Sequence, residues 1–357
     1  MHVIAISNQK GGCGKTTSAI NIAASLASLG KRTLLVDMDP QAHATYGLGV
    51  RGDEPRVSIY NVLTAQSEKK HKFLESVIMP VDENFDLAPS HVLLSTIEQE
   101  FLHKDESVSQ LHEVLGRLSF PYEYAVIDCP PSLGFLTFNA LRAADTVLVP
   151  IELGTFSLIG VGKLLSMVEL LRVKMRHTPK VYAMPTMVDT RTRFARHMIE
   201  EIRAAFGENV LSSAIRQSVS IRESQARGAA LVKYDPKSRG CVDYLILTQE
   251  LLNKMPPAVV LPEPERITIP SDRLKDFMFK TRTAQEVYLV GDFNNWRASP
   301  ESRLWQTEEG LWQKRVFLEP GRYRYKFIID GQWVVDPSNE RIEQNPYGGL
   351  DSVLEIH

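Results

Sequence analysis

The sequence predicts an α/β protein with a doubly wound parallel sheet, followed by a separate all-β sandwich. Three observations carry that prediction. From residue 1 to about 254, short continuous apolar runs alternate with amphipathic stretches of helical period, as in a parallel sheet covered on both faces. A glycine-rich turn, NQKGGCGKTT at 8–17, follows the first of those runs. Past a proline-rich stretch the helical period disappears and period-2 alternation replaces it.

Taken in order, the predicted strands are HVIAIS, RTLLVD (32–37), FDLAP (85–89), YAVIDC (124–129), DTVLVPI (145–151) and VYAMPTMV (181–188). Helical stretches such as TTSAINIAASLASL (16–29) and GVGKLLSMVELLRVKM (160–175) lie between them. These elements make a first domain over residues 1–254. Residues 255–270 read as a proline-rich, semi-extended linker. In 271–357, EVYLVGDFNNW, LWQKRVFLEPG, RYRYKFIIDGQWVVDP and DSVLEI alternate like half-buried strands, broken by Gly, Pro, Asn and Asp turns. All four tryptophans fall in this tail.

The totals exclude several classes. With 357 residues, 43% hydrophobic and 24% charged, the chain has the make-up of a globular protein of two domains. Its net charge of -2 advertises no overall field for nucleic acid. Cys13, Cys129 and Cys241 are too scattered for a disulfide framework or a metal cluster, which fits a reducing cytoplasm. Small buried residues are the expectation for Cys13 and Cys129. No apolar run approaches the roughly 20 residues of a membrane span, and the first residues run into a strand rather than a signal peptide.

Strand, glycine-rich loop, helix is the context in which such a turn binds phosphate. Gly11, Gly12 and Gly14 let backbone N–H groups close around phosphate oxygens, with Cys13 and Thr17 completing the nucleotide loop. Lys15 is placed to neutralise β/γ charge, and Thr16 to offer its hydroxyl to Mg²⁺. Gln9 stands where the phosphate-loop pattern has its first glycine, and a second lysine, Lys10, follows that the cradle does not need. Asp37 and Asp39 (LLVDMDPQ) and Asp128 (YAVID) end strands at the carboxyl edge, where ligands bind. Singly, each aspartate reads equally well as a helix cap. Together with the loop they read as more than caps.

KGGxGKTT after a strand, with DMDPQ and DCPPS further on, resembles the deviant Walker A ATPases, the ParA/MinD/Soj family, over roughly residues 1–250. The resemblance implies a P-loop ATPase using ATP and Mg²⁺, and a homodimer formed on ATP. It implies that Lys10 reaches the nucleotide of the second subunit, giving Lys10, Lys15 and Asp39 catalytic roles. Asp39 would orient or activate the attacking water, and Asp37 would help organise Mg²⁺ and the switch region. Asp128 would hold Mg²⁺ through water, and Pro130, Pro131 and Ser132 match the switch II loop. Gln9 and the β-rich tail place the chain with the ParA/Soj branch rather than the membrane-recruited one.

In that branch the ATP dimer binds DNA non-specifically. Residues 172–239 carry 14 Lys/Arg against six acids, the local excess that phosphate contacts require. The other reading is a solvated basic face. Arg191, Lys237 and Arg239 match the family directly. Where the family has PRNxR, with an adenine-side contact, this chain has Arg216-Gln217-Ser218-Val219-Ser220, so both arginines are replaced. Ser218 falls at the nucleotide position, with Arg216 and Arg222 as the nearby DNA-facing cations.

The tail, over about 284–357, resembles the glycogen-binding module of the AMP-activated protein kinase β subunit. That is a family 48 carbohydrate-binding module with an early-set immunoglobulin-like fold. Trp296 and Trp333 match its stacking tryptophans, Lys326 its sugar-contacting lysine, and Tyr347 a leucine that reaches through the sugar ring. Gly349 and Asp351 replace its threonine and asparagine contacts. Aromatics in a small sandwich are also ordinary core.

The combined expectation is a cytoplasmic, nucleoid-associated ATPase that partitions or positions a cargo, with a ParB-like activator or cargo adaptor, no membrane partner, and a glycogen-like α-glucan at its tail. The alternative is a partition ATPase whose β-sandwich docks protein and binds no carbohydrate.

Overall fold

The computed structural model describes residues 1–50, 57–67, 73–97, 108–154, 159–189, 191–255, 274–299, 302–308, 310–318 and 320–356. They form two compact units, each described by itself. The proline-rich linker expected over 255–270 lies outside the described residues from 256 onward.

The first unit is built on a seven-stranded sheet in the order β3-β4-β2-β5-β1-β6-β7. Its strands are β1 (His2–Ile6), β2 (Thr33–Asp37), β3 (Met79–Asp82), β4 (Phe85–Ala88), β5 (Tyr124–Asp128), β6 (Thr146–Glu152) and β7 (Lys180–Thr186). β1, β2 and β5 are buried along their whole length, which is why they read as unbroken apolar runs. The pairings of β1 with β5 and β6, of β2 with β4 and β5, and of β6 with β7 are parallel. β1 lies centrally, with β5, β2 and β4 to one side and β6 and β7 to the other. The loop leaving its carboxyl end therefore opens at the switch point of the sheet. β3, MPVD, was not expected from the sequence, because a proline and an acid in four residues hide an edge strand.

Helix α1 (Lys15–Ser28) is buried along most of its length and joins the core through Ala19, Ala23 and Ala27, spaced four apart, with Ile20, Ile22 and Leu26. α2 (His43–Gly47), α3 (Ile59–Ser67), α4 (Gln110–Gly116), α5 (Phe135–Ala143) and α6 (Ile159–Met175) follow. α7 (Arg193–Phe206), α8 (Val219–Ala226), α9 (Leu231–Tyr234) and α10 (Arg239–Lys254) complete the unit. The core joins α1, α10 and the sheet through Ile4, Ile20, Leu26, Val126, Tyr244 and Leu247. α7 starts where the Thr192 hydroxyl accepts from the Ala195 amide. It buries Met198, Ile202 and Phe206 at three-to-four spacing and turns its charges outward.

The second unit is antiparallel. β8 (Leu274–Lys280), β10 (Trp305–Glu308) and β11 (Leu311–Phe317) form one sheet. The other is β9 (Val287–Gly291), β12 (Gly321–Ile329), β13 (Gln332–Val334), β14 (Ile342–Gln344) and β15 (Leu350–Ile356). Phe277, Val287, Leu289, Trp312, Tyr325 and Phe327 make its core. Phe277 and Tyr325 meet edge-on at 4.9 Å, and Phe279 and Phe327 at 5.0 Å. Trp312 is thus a core tryptophan, whereas Trp333 is exposed. No described helix is long and apolar enough to cross a membrane.

Candidate functional site

Parallel register assembles the first site. Asp37 at the end of β2 pairs with Asp128 at the end of β5, and Asp128 pairs with Ile6, the last residue of β1 before the chain enters the glycine-rich loop. On the other side of β1, Glu152 at the end of β6 pairs with Thr186 at the end of β7. The loop is fastened to this edge at two points. Asn8 donates its amide to the Pro150 carbonyl at 2.7 Å, and the Thr186 hydroxyl donates to the Cys13 carbonyl at 2.9 Å.

Gly12 (φ 74°) and Gly14 (φ 90°) take left-handed backbone that turns the loop into α1, and Gly11 and Gly12 face open space. No side chain caps the first turn of α1 and no acid lies in it, so its N–H groups stay available to an anion. Lys15 is buried, its ammonium donating to the Lys10 carbonyl at 3.0 Å, and Cys13 donates its thiol to the same carbonyl. Burial pushes the Cys13 and Cys129 thiols up, so both stay neutral packing groups. Lys10 points elsewhere. Its ammonium, about one-third exposed, forms an ion pair with Glu152 at 2.7 Å.

Asp37 is fully buried. It accepts from the Asp39 amide at 3.1 Å, the Thr45 amide at 2.8 Å and the Thr45 hydroxyl at 2.7 Å. Burial still outweighs those donors and raises its pKa to about 7. Asp39 is 6% exposed, and one of its oxygens accepts from the Gln41 amide at 2.9 Å. Asp128 is fully buried and neither of its oxygens has a hydrogen-bond partner, although Thr16 lies near enough to favour its charged form. Burial, and then Asp37, push its pKa up. A buried carboxylate with two unmet acceptors beside two more carboxylates calls for a cation. Among the described residues no three carboxylates converge into a direct cage, so a small divalent ion there would keep most of its waters. Thr16 and Asp128 fit that role for Mg²⁺.

Beside the loop lies a cavity of about 520 Å³. Gly14, Thr17, Met187, Gln217, Ser218 and Tyr244 are among its lining residues, a size suited to the base and ribose of a nucleotide. Gln225 donates to the Thr17 hydroxyl at 2.7 Å, and Met187 sits in left-handed backbone (φ 54°) directly after β7. Pro130 follows β5 among the buried residues of that edge.

The five predicted DNA-facing cations separate. Arg191, Arg216 and Arg222 line the cavity, while Lys237 and Arg239 are exposed at the start of α10. The Arg191 side chain is 87% exposed and forks onto Asp189 at 2.8 Å from each nitrogen. Arg216 is committed to Asp243, a carboxylate only 5% exposed on α10. Both its backbone N–H and its Nε donate to that group at 3.0 Å.

In the second unit, Trp296 and Trp333 stand 6.2 Å apart with ring planes at 32°, and Tyr347 is 95% exposed. Lys326, predicted to touch sugar, is turned inward onto Asp351 at 3.1 Å, with side chains only 13% and 5% exposed. Asp351 also accepts from the Asn345 amide at 2.8 Å. Asn345 in turn accepts from the Tyr347 and Gly349 backbone N–H groups. Sequence reasoning missed Glu152, Thr45, Thr186, Gln225, Asp243 and Asp292. Only Glu152 carried a signal, as an acid ending a strand at the same edge as Asp37 and Asp128.

Residues 1–181 match the AAA domain model, and residues 276–357 match the model for the glycogen recognition site of AMP-activated protein kinase. The chain is 38% identical to the chromosome partitioning protein ParA of Myxococcus xanthus over 257 residues, 71% of this chain and 89% of that protein. It is 36% identical to the sporulation initiation inhibitor protein Soj of Bacillus subtilis over 250 residues, 70% of this chain and 97% of that protein. Among solved structures, cobyrinic acid a,c-diamide synthase from Mycobacterium smegmatis with bound ADP and magnesium is 31% identical, with a TM-score of 0.62. That match covers 71% of this chain and 94% of the other.

Proposed function

The chain belongs to the ParA/Soj family of P-loop ATPases, and from that premise we propose that two copies close face to face on ATP, bind DNA and position a cargo. As in the family, ATP is the substrate and Mg²⁺ the cofactor. Bound Mg²⁺ supplies charge neutralisation on the β and γ phosphates. The Thr16 hydroxyl and, through water, Asp128 would hold it. The loop N–H groups of Gly11, Gly12, Cys13 and Gly14 receive phosphate oxygens, and Lys15 adds its charge from within the loop. The Asp39 carboxylate orients the attacking water, and Asp37, braced by Thr45, sets its position.

The single observation that supports the dimer is the division of labour between the lysines. Lys15 is folded into its own loop, whereas Lys10 lies on the rim, engaged by a partly exposed ion pair. Such pairs contribute only about 0–1 kcal/mol, so a phosphate on a second copy outcompetes Glu152. Sedimentation velocity with a non-hydrolysable ATP analogue should show a dimer for the wild type and a monomer for Lys10→Ala. A wild type that stays monomeric at saturating analogue would sink the reading.

DNA is taken through the exposed cations, chiefly Lys237 and Arg239, which places the protein on the nucleoid. A ParB-like activator or cargo adaptor would trigger hydrolysis. The second unit binds a glycogen-like α-glucan through Trp296, Trp333 and Tyr347. Retention on glycogen that disappears in Trp333→Ala is the expected result.

A further inference from the structure

The loop that carries Trp296 is held in an unusual shape. Asn295 (φ 54°) and Trp296 (φ 59°) are successive non-glycine residues in left-handed backbone, a conformation a bulky residue keeps only where its surroundings impose it. Several contacts impose it here. The Trp296 backbone N–H donates to the Gly291 carbonyl at 3.0 Å. The Asn294 side chain accepts from the Gly291 N–H and donates to the Leu289 carbonyl, each at 2.9 Å. Gly291 leaves no room for a Cβ, which would lie 2.5 Å from the Arg324 carbonyl.

These contacts fix the backbone, but the ring needs its own anchor. The indole N–H of Trp296 donates to Asp292 Oδ1 at 2.9 Å. The other oxygen, Oδ2, accepts from the Arg324 backbone N–H at 2.8 Å and from Arg324 Nε at 3.3 Å. One carboxylate thus ties the indole to the neighbouring strand β12. Burial works against its charge. The Arg324 amide, the Trp296 indole and the Arg324 guanidinium overcome that and hold its pKa below the ordinary value.

We propose that Asp292 is a positioning residue that presets Trp296 against Trp333, so that the two-ring face favours an α-glucan whose curvature is fixed in a closed ring over an open, flexible one. This rests on the glucan reading given above. Two rings 6.2 Å apart and inclined at 32° present non-coplanar faces. Successive sugars of an α-linked chain turn relative to one another and meet both faces. A ring fixed before binding loses no rotamer freedom on contact. Freed from Asp292, Trp296 would sample other tilts and the advantage of the closed ligand would fall.

The test uses the full chain and two probes, β-cyclodextrin as a closed, curved glucan and maltoheptaose as a linear one, titrated by calorimetry. Trp333→Ala should abolish binding of both. Asp292→Ala should weaken β-cyclodextrin about tenfold and maltoheptaose about threefold, lowering the affinity ratio. Asp292→Asn keeps one acceptor, enough for the indole or for Arg324 but not both, and should lower the ratio by an intermediate amount. It also serves as the second variant if Asp292→Ala does not fold. A purely structural role would lower the melting temperature and scale both affinities alike, leaving the ratio unchanged. That outcome overturns the proposal while the glucan reading stands. Absence of binding by the wild type removes both.

Discussion

Lys10 carries the most information at the scale of single residues, because its partner in this chain is an acid rather than a phosphate. If Glu152 holds Lys10 until a second copy arrives, Glu152→Ala should lower the analogue concentration needed for dimerisation by about two- to fivefold, the equivalent of a partly exposed ion pair. Sedimentation velocity across an analogue titration checks this. Asp128 makes a second prediction. Its unpartnered oxygens mean that its charge is costly without a cation. Asp128→Asn should therefore raise the melting temperature in magnesium-free buffer at neutral pH. The same change should cut magnesium-dependent phosphate release by about a hundredfold or more. A drop in melting temperature would mean that the carboxylate has a partner.

At the scale of elements, the basic segment divides into two roles that composition could not separate. Arg216 neutralises Asp243 across to α10, whereas Lys237 and Arg239 are exposed at the beginning of that helix. Arg216→Ala would leave a buried carboxylate without its cation, a cost of about 2–3 kcal/mol, visible as a lower denaturation midpoint. Lys237→Ala and Arg239→Ala should leave stability nearly unchanged. Each should weaken DNA binding and reduce the slope of log affinity against log salt by about one. Equal stability losses in all three variants would contradict this division. The tryptophans divide in the same way. Period-2 alternation located their strands, but only the cross-strand register put Trp333 opposite Ile328 on the outer face while Trp312 entered the core.

For the whole molecule, the core cluster around α1 and the core cluster of the second unit share no residue among those described. Phe327 is fully buried in the second. Phe327→Ala should cost about 3–5 kcal/mol there. Glycogen retention should be lost on mild warming while ATP hydrolysis at the same temperature is unchanged. Simultaneous loss of both activities would show that the two units unfold together.

The sequence by itself determined the α/β unit, the phosphate loop, the strand-end aspartates and the change to β-structure, because each is written in short-range chemistry. Apolar runs specify buried strands, glycines permit one loop shape, and acids stop at strand ends. The strand MPVD stayed hidden because an edge position tolerates a proline and an acid. Tertiary structure alone decided which charges are spent on one another. Lys10 meets Glu152, Arg216 meets Asp243, Lys326 meets Asp351 and Trp296 meets Asp292. Three of these pairs span from 25 to 142 residues, and even Asp292 acts through its hold on Arg324, 32 residues away. A local pattern identifies a cation, but its partner is chosen only when distant segments pack together.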